Sequence, residues 1–290
     1  MTGNTQDHPR DSAGLTYVYP VVSRRARGVS VGLNLNPNNA CNWRCVYCQV
    51  EELQRGSAPD LDLELFSSEL EGFLDQVVDG DWMQRFAPLE ARRLNDLAFS
   101  GNGEPTTSAG FGAAVELAAD SMDRRGLTAA GVKLVLITNG SMLHKESVQH
   151  GLARMARSNG ELWYKLDAGR EEERLLVNDV RLPNTRVEQN LRSCASLVAT
   201  RIQTCFFARG GLPPSEEHLQ AYLDFLERQV AEGVALQDVM LYGLARPSQQ
   251  SEAPELSRLP DQWLAQMAER VRALGLEASA YGAAGAIRPN

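Results

Sequence analysis

The sequence has little of several features that mark other classes of protein. Only four histidines and five cysteines occur in 290 residues, and repeats and low-complexity linkers are absent. No apolar run approaches the about 18 residues that a membrane-spanning helix needs. The 29 Lys and Arg residues are outnumbered by 37 Asp and Glu residues. The resulting net charge of -8 argues against sequence-independent binding of a nucleic-acid phosphate backbone. Because no secretion signal is visible, we expect a cytoplasmic protein without membrane association.

Three of the five cysteines are crowded into one short segment. Cys41, Cys45 and Cys48 have the spacing C-x3-C-x2-C, and the aromatic Tyr47 directly precedes the last thiol. Three thiolate ligands suit a 4Fe-4S cluster that keeps one iron free to bind a small molecule. A structural zinc site would need a second ligand pair, which the sequence does not supply, and three adjacent cysteines cannot all pair as disulfides. A cluster is therefore the favoured interpretation.

The hydrophobic pattern predicts one α/β domain from residue 15 to 290. Short apolar runs alternate with segments of helical periodicity, which is typical of βα units and a parallel sheet. Residues 1–14 are polar and lack periodicity, so we expect them to form a flexible N-terminal arm. The predicted strands span residues 30–36, 96–100, 133–138, 161–167, 201–207 and 238–244, with a short seventh strand at 277–281.

The cysteine segment resembles the defining motif of the radical S-adenosylmethionine (SAM) superfamily, residue for residue. The resemblance implies a partial (β/α)6 barrel of parallel strands, with three thiolates on one cluster and SAM on the fourth iron. It further implies reductive cleavage of SAM to a 5'-deoxyadenosyl radical. The electron would come from a reductant such as flavodoxin or ferredoxin. The two remaining cysteines cannot supply a second cluster, so a single cluster is predicted.

Candidate cofactor contacts follow the predicted strands, where parallel βα folds place their chemistry. The second strand runs into Gly101, Asn102, Gly103 and Glu104, where glycine allows close backbone approach and the carboxylate can receive an ammonium group. This segment resembles the Gly-Gly-Glu motif that binds the SAM amino group in the family. Further contacts are predicted at Tyr47, Asn139, Asp167, Ala245 and Arg246.

Alternatives stay open for several of these residues, since a glycine-rich segment after a strand could simply be a turn. Asn139 lies in a Thr-Asn-Gly strand end similar to those of the family, but it could simply form a turn with Ser141 starting the next helix. Arg246 could bind a carboxylate or phosphate group, or it could be a surface arginine stiffened by Pro247.

Two strands carry candidate catalytic residues. Lys165 and Asp167 share one face of a buried strand, which predicts a ligand in the barrel lumen, with a structural ion pair as the alternative. Cys205 lies on a polar face of the fifth strand and is predicted near the substrate, where it could donate a hydrogen atom or hold the substrate; a core position is the alternative. Cys194 belongs to an apolar helical stripe, so a core position is expected.

Three functions fit these features. The leading one is a radical SAM enzyme that abstracts hydrogen from a small-molecule or peptide substrate. Several local stretches resemble short wyosine-synthase-like iron-sulfur oxidoreductases, so a tRNA-modifying radical enzyme is the second. It would require a basic patch around Arg24, Arg25, Arg27 and Arg44. The third is a non-enzymatic iron-sulfur redox protein, which would have little use for Glu104 and the other converging polar residues.

Overall fold

A computed structural model describes residues 14–23, 28–282 and 285–287. The predicted N-terminal arm lies outside these ranges except for Gly14, and so do Arg24, Arg25 and Arg27 of the proposed basic patch. The chain divides into two compact units. One comprises the described parts of Met1–Asn42 together with Gly56–Thr138 and Lys145–Glu161, and the other comprises Trp43–Arg55, Asn139–His144 and the described parts of Leu162–Asn290. The predicted single domain stays a prediction.

Strands and helices alternate along most of the described chain. The strands are β1 (Val18–Ser23), β2 (Gly28–Leu33), β3 (Ala40–Cys41), β4 (Gln54–Arg55), β5 (Leu94–Phe99), β6 (Lys133–Thr138), β7 (Gly160–Lys165), β8 (Ala199–Cys205), β9 (Ala208–Arg209), β10 (Leu236–Tyr242), β11 (Leu256–Ser257), β12 (Ala278–Gly282) and β13 (Gly285–Ile287). The α-helices are α1 (Leu63–Leu74), α2 (Trp82–Phe86), α3 (Phe111–Arg124), α4 (Glu146–Ala156), α5 (Glu171–Asn178), α6 (Asn184–Ala195), α7 (Glu216–Ala231) and α8 (Asp261–Arg272). All seven predicted strands are confirmed, as β2, β5, β6, β7, β8, β10 and β12.

In the first unit, the strands lie in the order β1, β2, β5, β6. The pairs β2–β5 and β5–β6 are parallel, whereas β1 is antiparallel to β2, with Val18 opposite Leu33. Helices α1 and α3 cover apolar side chains of this sheet. The rings of Phe99 on β5 and Phe111 on α3 meet edge to face, with centroids 5.7 Å apart. Both rings are fully buried, and each such side chain contributes about 1.5–3 kcal/mol to folding.

In the second unit, the strands lie in the order β7, β8, β10, β12, β13. β10 is parallel to β8 and β12, and β13 returns antiparallel to β12. The two faces of β8 differ as alternation requires: Ile202 and Thr204 are fully buried, while Cys205 is only partly buried. Helix α6 places Cys194 in the core at 0% exposure, as expected from the sequence.

Both units therefore have parallel strands alternating with helices, and the predicted α/β fold class is confirmed. Strand β2 ends earlier than expected because the Asn34 side chain turns the backbone: its Oδ1 accepts a hydrogen bond from the Asn36 N–H at 3.1 Å. Among the described helices, none combines the length and the apolar character needed to cross a bilayer.

Candidate functional site

The cysteine segment leaves β3 as an irregular loop. Cys41 ends β3 and belongs to the first unit, whereas Cys45 and Cys48 belong to the second. The N–H of Cys48 donates to the carbonyl of Cys45 at 2.9 Å, which closes a tight turn. None of the three forms a disulfide, and all three are partly buried. Their side chains are therefore not sealed in the core.

A buried carboxylate ties the cysteine loop to the rest of the second unit. Asp167, 4% exposed, lies just beyond β7. Its Oδ2 accepts hydrogen bonds from the Tyr47 phenol at 2.5 Å and the Asn178 side chain at 2.8 Å, and its Oδ1 accepts from the Cys205 N–H at 2.9 Å. Asp167 thus joins the cysteine loop, the end of α5 and the end of β8. Its role as a cofactor contact stays a prediction.

Asn178 also reaches a predicted cluster ligand. Its Nδ2 lies 3.2 Å from the Sγ of Cys45. Burial raises the pKa of the Cys45 thiol to about 12, and the positive charge of Lys165 acts in the opposite direction. A bound metal overrides this effect, because coordination deprotonates a thiol.

The aromatic residue of the cysteine motif packs beside Cys205. Tyr47 and Cys205 contact a small core of Val46, Phe207 and Leu244, and the rings of Tyr47 and Phe207 lie 5.8 Å apart between centroids. Burial raises the pKa of both the Tyr47 phenol and the Cys205 thiol well above their usual values, and the negative charge of Asp167 adds to this. Both groups therefore stay protonated at neutral pH.

The donor set suits an iron-sulfur cluster. Three thiols that are partly accessible lie within eight residues of chain, and one of them already receives an N–H from a buried amide. Within the described residues, no three His, Cys, Asp or Glu side chains are arranged to share a single metal ion. A cluster does not need that arrangement, because its ligands bind different iron atoms. The three cysteines therefore fit a cluster better than a mononuclear site.

In the first unit, Glu104 is held by hydroxyl groups. It is 3% exposed, and its Oε1 accepts from the Thr106 Oγ1 at 2.5 Å and from the Thr138 Oγ1 at 2.6 Å. The Thr106 N–H adds a third hydrogen bond at 3.2 Å. Thr138 ends β6, so the neighbouring strand fixes the carboxylate that follows β5. This anchoring gives Glu104 one orientation, which suits a group that must present a carboxylate to a ligand.

The two glycines of this loop are required for different reasons. Gly101 has φ +151°, a conformation that favours glycine, and an added Cβ would collide with the Asn34 side chain. A Cβ at Gly103 would collide with the carbonyl oxygen of Ala40, next to Cys41. The backbone of the protein itself therefore approaches Gly103 closely.

Asparagine side chains organise the same loop. The Oδ1 of Asn34 accepts from the Asn102 N–H at 3.0 Å, and the Nδ2 of Asn102 donates to Oδ1 of Asn39 at 2.6 Å. Asn36 donates to the Ala40 carbonyl at 2.9 Å. The loop after β5 and the segment leading to Cys41 are thereby joined. The candidate contacts Gly101, Asn102, Gly103 and Glu104 stay a prediction, but their backbone is well fixed.

Asn139 forms a turn of its own after β6. Its Oδ1 accepts from the N–H of Ser141 at 3.0 Å and from its hydroxyl at 2.7 Å. Helix α4 begins only at Glu146, so Ser141 does not start the helix, and that part of the alternative is wrong. The next residue, Gly140, has φ +77°, and a Cβ there would collide with the ring of Tyr164. A contact between Asn139 and the cofactor stays a prediction.

The loop after β10 docks on the cysteine loop. The hydroxyl of Ser248 donates to the carbonyl of Val46 at 2.7 Å, and the Gln249 N–H donates to that of Cys48 at 2.8 Å. The carbonyl of Arg246 accepts from the Gln49 side chain at 3.3 Å, while Ala245 is exposed. Arg246 and Ala245 therefore lie beside the cysteine segment, although their predicted cofactor contacts are not tested.

Sequence reasoning missed several residues that build this site. Asn178 and Ser248 carried no local signal, since their partners in the cysteine loop are 133 and 202 residues away along the chain. Asn34 stood in an asparagine-rich stretch that was visible in the sequence, but nothing there indicated its partner.

The family follows from a comparison with known proteins. A family model described as the Radical SAM superfamily matches residues 35–226, about two thirds of the chain. The chain belongs to this superfamily. Its members are enzymes that use a 4Fe-4S cluster and SAM, and they generally need an external reductant, so the predicted cofactors are confirmed.

Individual relatives are distant. The UPF0026 protein MJ1312 of Methanocaldococcus jannaschii is 28% identical over 133 residues, which cover 46% of this chain and 36% of that protein. A radical SAM methyltransferase from Sphaerobacter thermophilus is 16% identical, with a TM-score of 0.59 over 91% of this chain and 69% of its own. SuiB of Streptococcus suis, solved bound to S-adenosylmethionine, is 13% identical, with a TM-score of 0.53 over 87% and 46%. These structures are similar in fold, and the predicted radical SAM type of α/β fold is confirmed.

Proposed function

We propose that this protein cleaves SAM reductively and uses the resulting 5'-deoxyadenosyl radical to abstract hydrogen from a small-molecule or peptide substrate. The single observation that carries the proposal is the environment of Cys45. Its sulfur, in a three-cysteine motif of the superfamily type, receives an N–H from the buried Asn178. A ligated 4Fe-4S cluster supplies the low-potential electron and a coordination site for SAM. Flavodoxin or ferredoxin is the proposed reductant.

The residues of the chain bind and orient the reactants in this proposal. Cys41, Cys45 and Cys48 hold the cluster, and Glu104, fixed by Thr106 and Thr138, receives the ammonium group of SAM. Further contacts to SAM are assigned to Tyr47, Gly101, Asn102, Gly103, Asn139, Asp167, Ala245 and Arg246.

Lys165 and Cys205 are assigned to the chemistry of the substrate. The charge of Lys165 acts on both Cys45 and Cys205, so its ammonium group lies close to the motif and can bind a carboxylate. Cys205 stays a protonated thiol because burial raises its pKa, and a thiol is the form that can donate a hydrogen atom. On the same face of β8, the Oε1 of Gln203 is buried and has no hydrogen-bond partner among the described residues. A polar substrate would satisfy that oxygen.

The charges around the motif favour a small substrate over tRNA. Arg44, the one described member of the proposed basic patch, donates both terminal nitrogens to Glu252 at 2.9 and 2.7 Å and its Nε to Asp179 at 2.9 Å. A guanidinium held by two carboxylates adds little attraction for a phosphate backbone. If the protein bound bulk tRNA with an affinity that falls steeply as the salt concentration rises, the tRNA alternative would be favoured instead.

Anaerobic reconstitution tests the proposal. After reduction with dithionite and addition of SAM, 5'-deoxyadenosine is expected by mass spectrometry. Alanine variants of each motif cysteine should lose the cluster and the product, while Cys194→Ala should keep both, since Cys194 lies in the core of the second unit. An intact cluster that binds SAM but gives no 5'-deoxyadenosine, with or without candidate substrates, would favour the non-enzymatic redox protein.

A further inference from the structure

The end of helix α5 is bound to the cysteine loop at three consecutive residues. The carbonyl of Asn178 accepts from the Arg44 N–H at 3.2 Å, and the carbonyl of Val177 accepts from the Val46 N–H at 2.9 Å. These two hydrogen bonds flank Cys45 on both sides. The backbone of Cys45 therefore cannot move independently of Asn178.

Ion pairs strengthen the same junction. Asp179, the residue after α5, adopts the left-handed conformation at φ 51° and ψ 45°, and its carboxylate binds the Arg44 Nε at 2.9 Å. Arg55 also pairs with this carboxylate at 2.9 Å. Arg44 in turn is fixed by Glu252. These contacts form a rigid connection between the end of α5 and the cysteine loop. The helix end does not require them, because a left-handed residue that ends a helix needs no partner from a distant loop.

The Asn178 side chain uses this position to reach two acceptors. It is 1% exposed, and its Nδ2 lies 3.2 Å from the Cys45 sulfur and 2.8 Å from Oδ2 of Asp167. An amide nitrogen carries two hydrogens, so one can serve each acceptor. With the amide turned over, its oxygen would face a sulfur and a carboxylate, neither of which can donate when ionised. The chemistry of the two neighbours therefore fixes the nitrogen on this side.

Hydrogen bonds to the sulfur ligands of an iron-sulfur cluster change its reduction potential. A donor withdraws electron density from the thiolate and stabilises the more negative, reduced state. The environment of Cys45 also includes the positive charge of Lys165, which favours reduction, and the negative charge of Asp167, which opposes it. Asn178 donates to both Cys45 and Asp167.

We propose that Asn178 is a positioning residue that donates an N–H···S hydrogen bond to the Cys45 thiolate in the cluster-bound protein and thereby raises the reduction potential of the cluster. The inference rests on the proposed function, because it requires Cys45 to be a cluster ligand. Asn178 acts through the Cys45 ligand. It would set how readily the reductant can load the cluster with an electron.

A redox titration of the reconstituted full-length protein, followed by electron paramagnetic resonance without SAM, tests this role independently of turnover. Asn178→Leu keeps the approximate side-chain volume and removes both donors. We expect a full complement of iron and sulfide and a more negative midpoint potential. Asn178→Ala removes the same donors without adding an apolar side chain of similar size, so its midpoint should also be more negative than that of the wild type.

Asn190→Leu is the matched control. Asn190 is another buried asparagine of the second unit, at 2% exposure, and its Nδ2 donates to the Gly140 carbonyl at 2.8 Å instead of to a cysteine. Its loss should leave the midpoint potential of the cluster unchanged. A control that shifts as far as Asn178→Leu would show that any buried amide has this effect, and the assignment to Asn178 would be overturned.

The remaining outcomes separate this inference from the proposed function. A wild-type midpoint in a cluster-loaded Asn178→Leu protein overturns the inference alone. If that variant holds no iron, Asn178→Ala decides by the direction of its shift in midpoint potential, and loss of the cluster from both variants counts against tuning because Asn178 would then be needed for assembly. A wild-type protein that binds no 4Fe-4S cluster through the three cysteines would overturn the proposed function itself.

Discussion

The phenol of Tyr47 donates a hydrogen bond of 2.5 Å to the buried carboxylate of Asp167. The contact joins the aromatic residue of the cysteine motif to the end of β7, 120 residues away along the chain. Because burial and the charge of Asp167 raise the pKa of the phenol well above its usual range, the phenol keeps its proton at neutral pH. Tyr47 therefore acts as a donor that fixes the cysteine loop.

Tyr47→Phe tests how much this hydrogen bond stabilises the folded protein. The ring can keep its packing against Phe207, but the Asp167 carboxylate loses a donor, so we expect a loss of about 2 kcal/mol in the free energy of unfolding. Denaturant unfolding measures the change. Tyr164→Phe is the matched control, because its hydroxyl donates to the neutral carbonyl of Val187 at 3.3 Å and should cost about 1 kcal/mol or less. Equal losses in the free energy of unfolding would show that the charge of Asp167 does not strengthen the hydrogen bond from Tyr47.

Glu104→Ala should keep the cluster and weaken SAM binding. Removing a charged partner of an ammonium group costs about 1.5–3 kcal/mol, which corresponds to about 10- to 150-fold in affinity. Calorimetric titration of the reconstituted protein with SAM measures the change. Glu69→Gln is the control: Glu69 is also buried but accepts from the Thr16 and Tyr17 N–H groups at 2.8 and 2.7 Å, so its loss should reduce stability only. Unchanged SAM affinity in Glu104→Ala would remove this residue from the cofactor site.

Much of the fold was predictable because it depends on local pattern. Each predicted strand coincides with an observed one, since apolar runs bounded by polar or glycine residues identify buried parallel strands. β1 was missed because Pro20 interrupts its pattern; proline is tolerated there because β1 lies at the edge of the sheet in the first unit. The site was predictable only where a motif is continuous in sequence. The hydrogen bonds of Asn178 and Ser248 depend on long-range pairing that no local pattern encodes.

The stability of the first unit should depend on pH through Asp96. Burial, the largest effect, raises the pKa of this carboxyl from 3.8 to about 6, the charge of Glu161 adds to the rise, and Ser30 and Lys133 oppose it. Because the folded pKa lies above the unfolded one, the folded state binds the extra proton. This contribution to stability is present below about pH 4 and is lost as the pH rises through 6.

Asp96→Asn mimics the protonated form. At pH 8 it should raise the free energy of unfolding relative to wild type, by up to about 3 kcal/mol, and the difference should shrink towards zero near pH 4. Urea unfolding at several pH values checks this. A constant difference for Asp96→Asn would show that the carboxyl titrates alike in the folded and unfolded chain.

Gly103→Ala should disrupt the segment that leads into the cysteine motif. The new Cβ would collide with the Ala40 carbonyl, which belongs to the backbone and cannot rotate away, so either this segment or the loop after β5 must shift. Overpacking of this kind costs about 1–3 kcal/mol. Because Ala40 precedes Cys41, the iron content after reconstitution should fall as well. Gly56→Ala is the matched control: its Cβ would meet only the Ala40 Cβ at 3.7 Å, and the N–H that binds the Cys41 carbonyl is kept. If Gly103→Ala retained wild-type stability and iron content, the close contact between Gly103 and Ala40 would not constrain the loop, and the glycine would be required only for the approach of SAM.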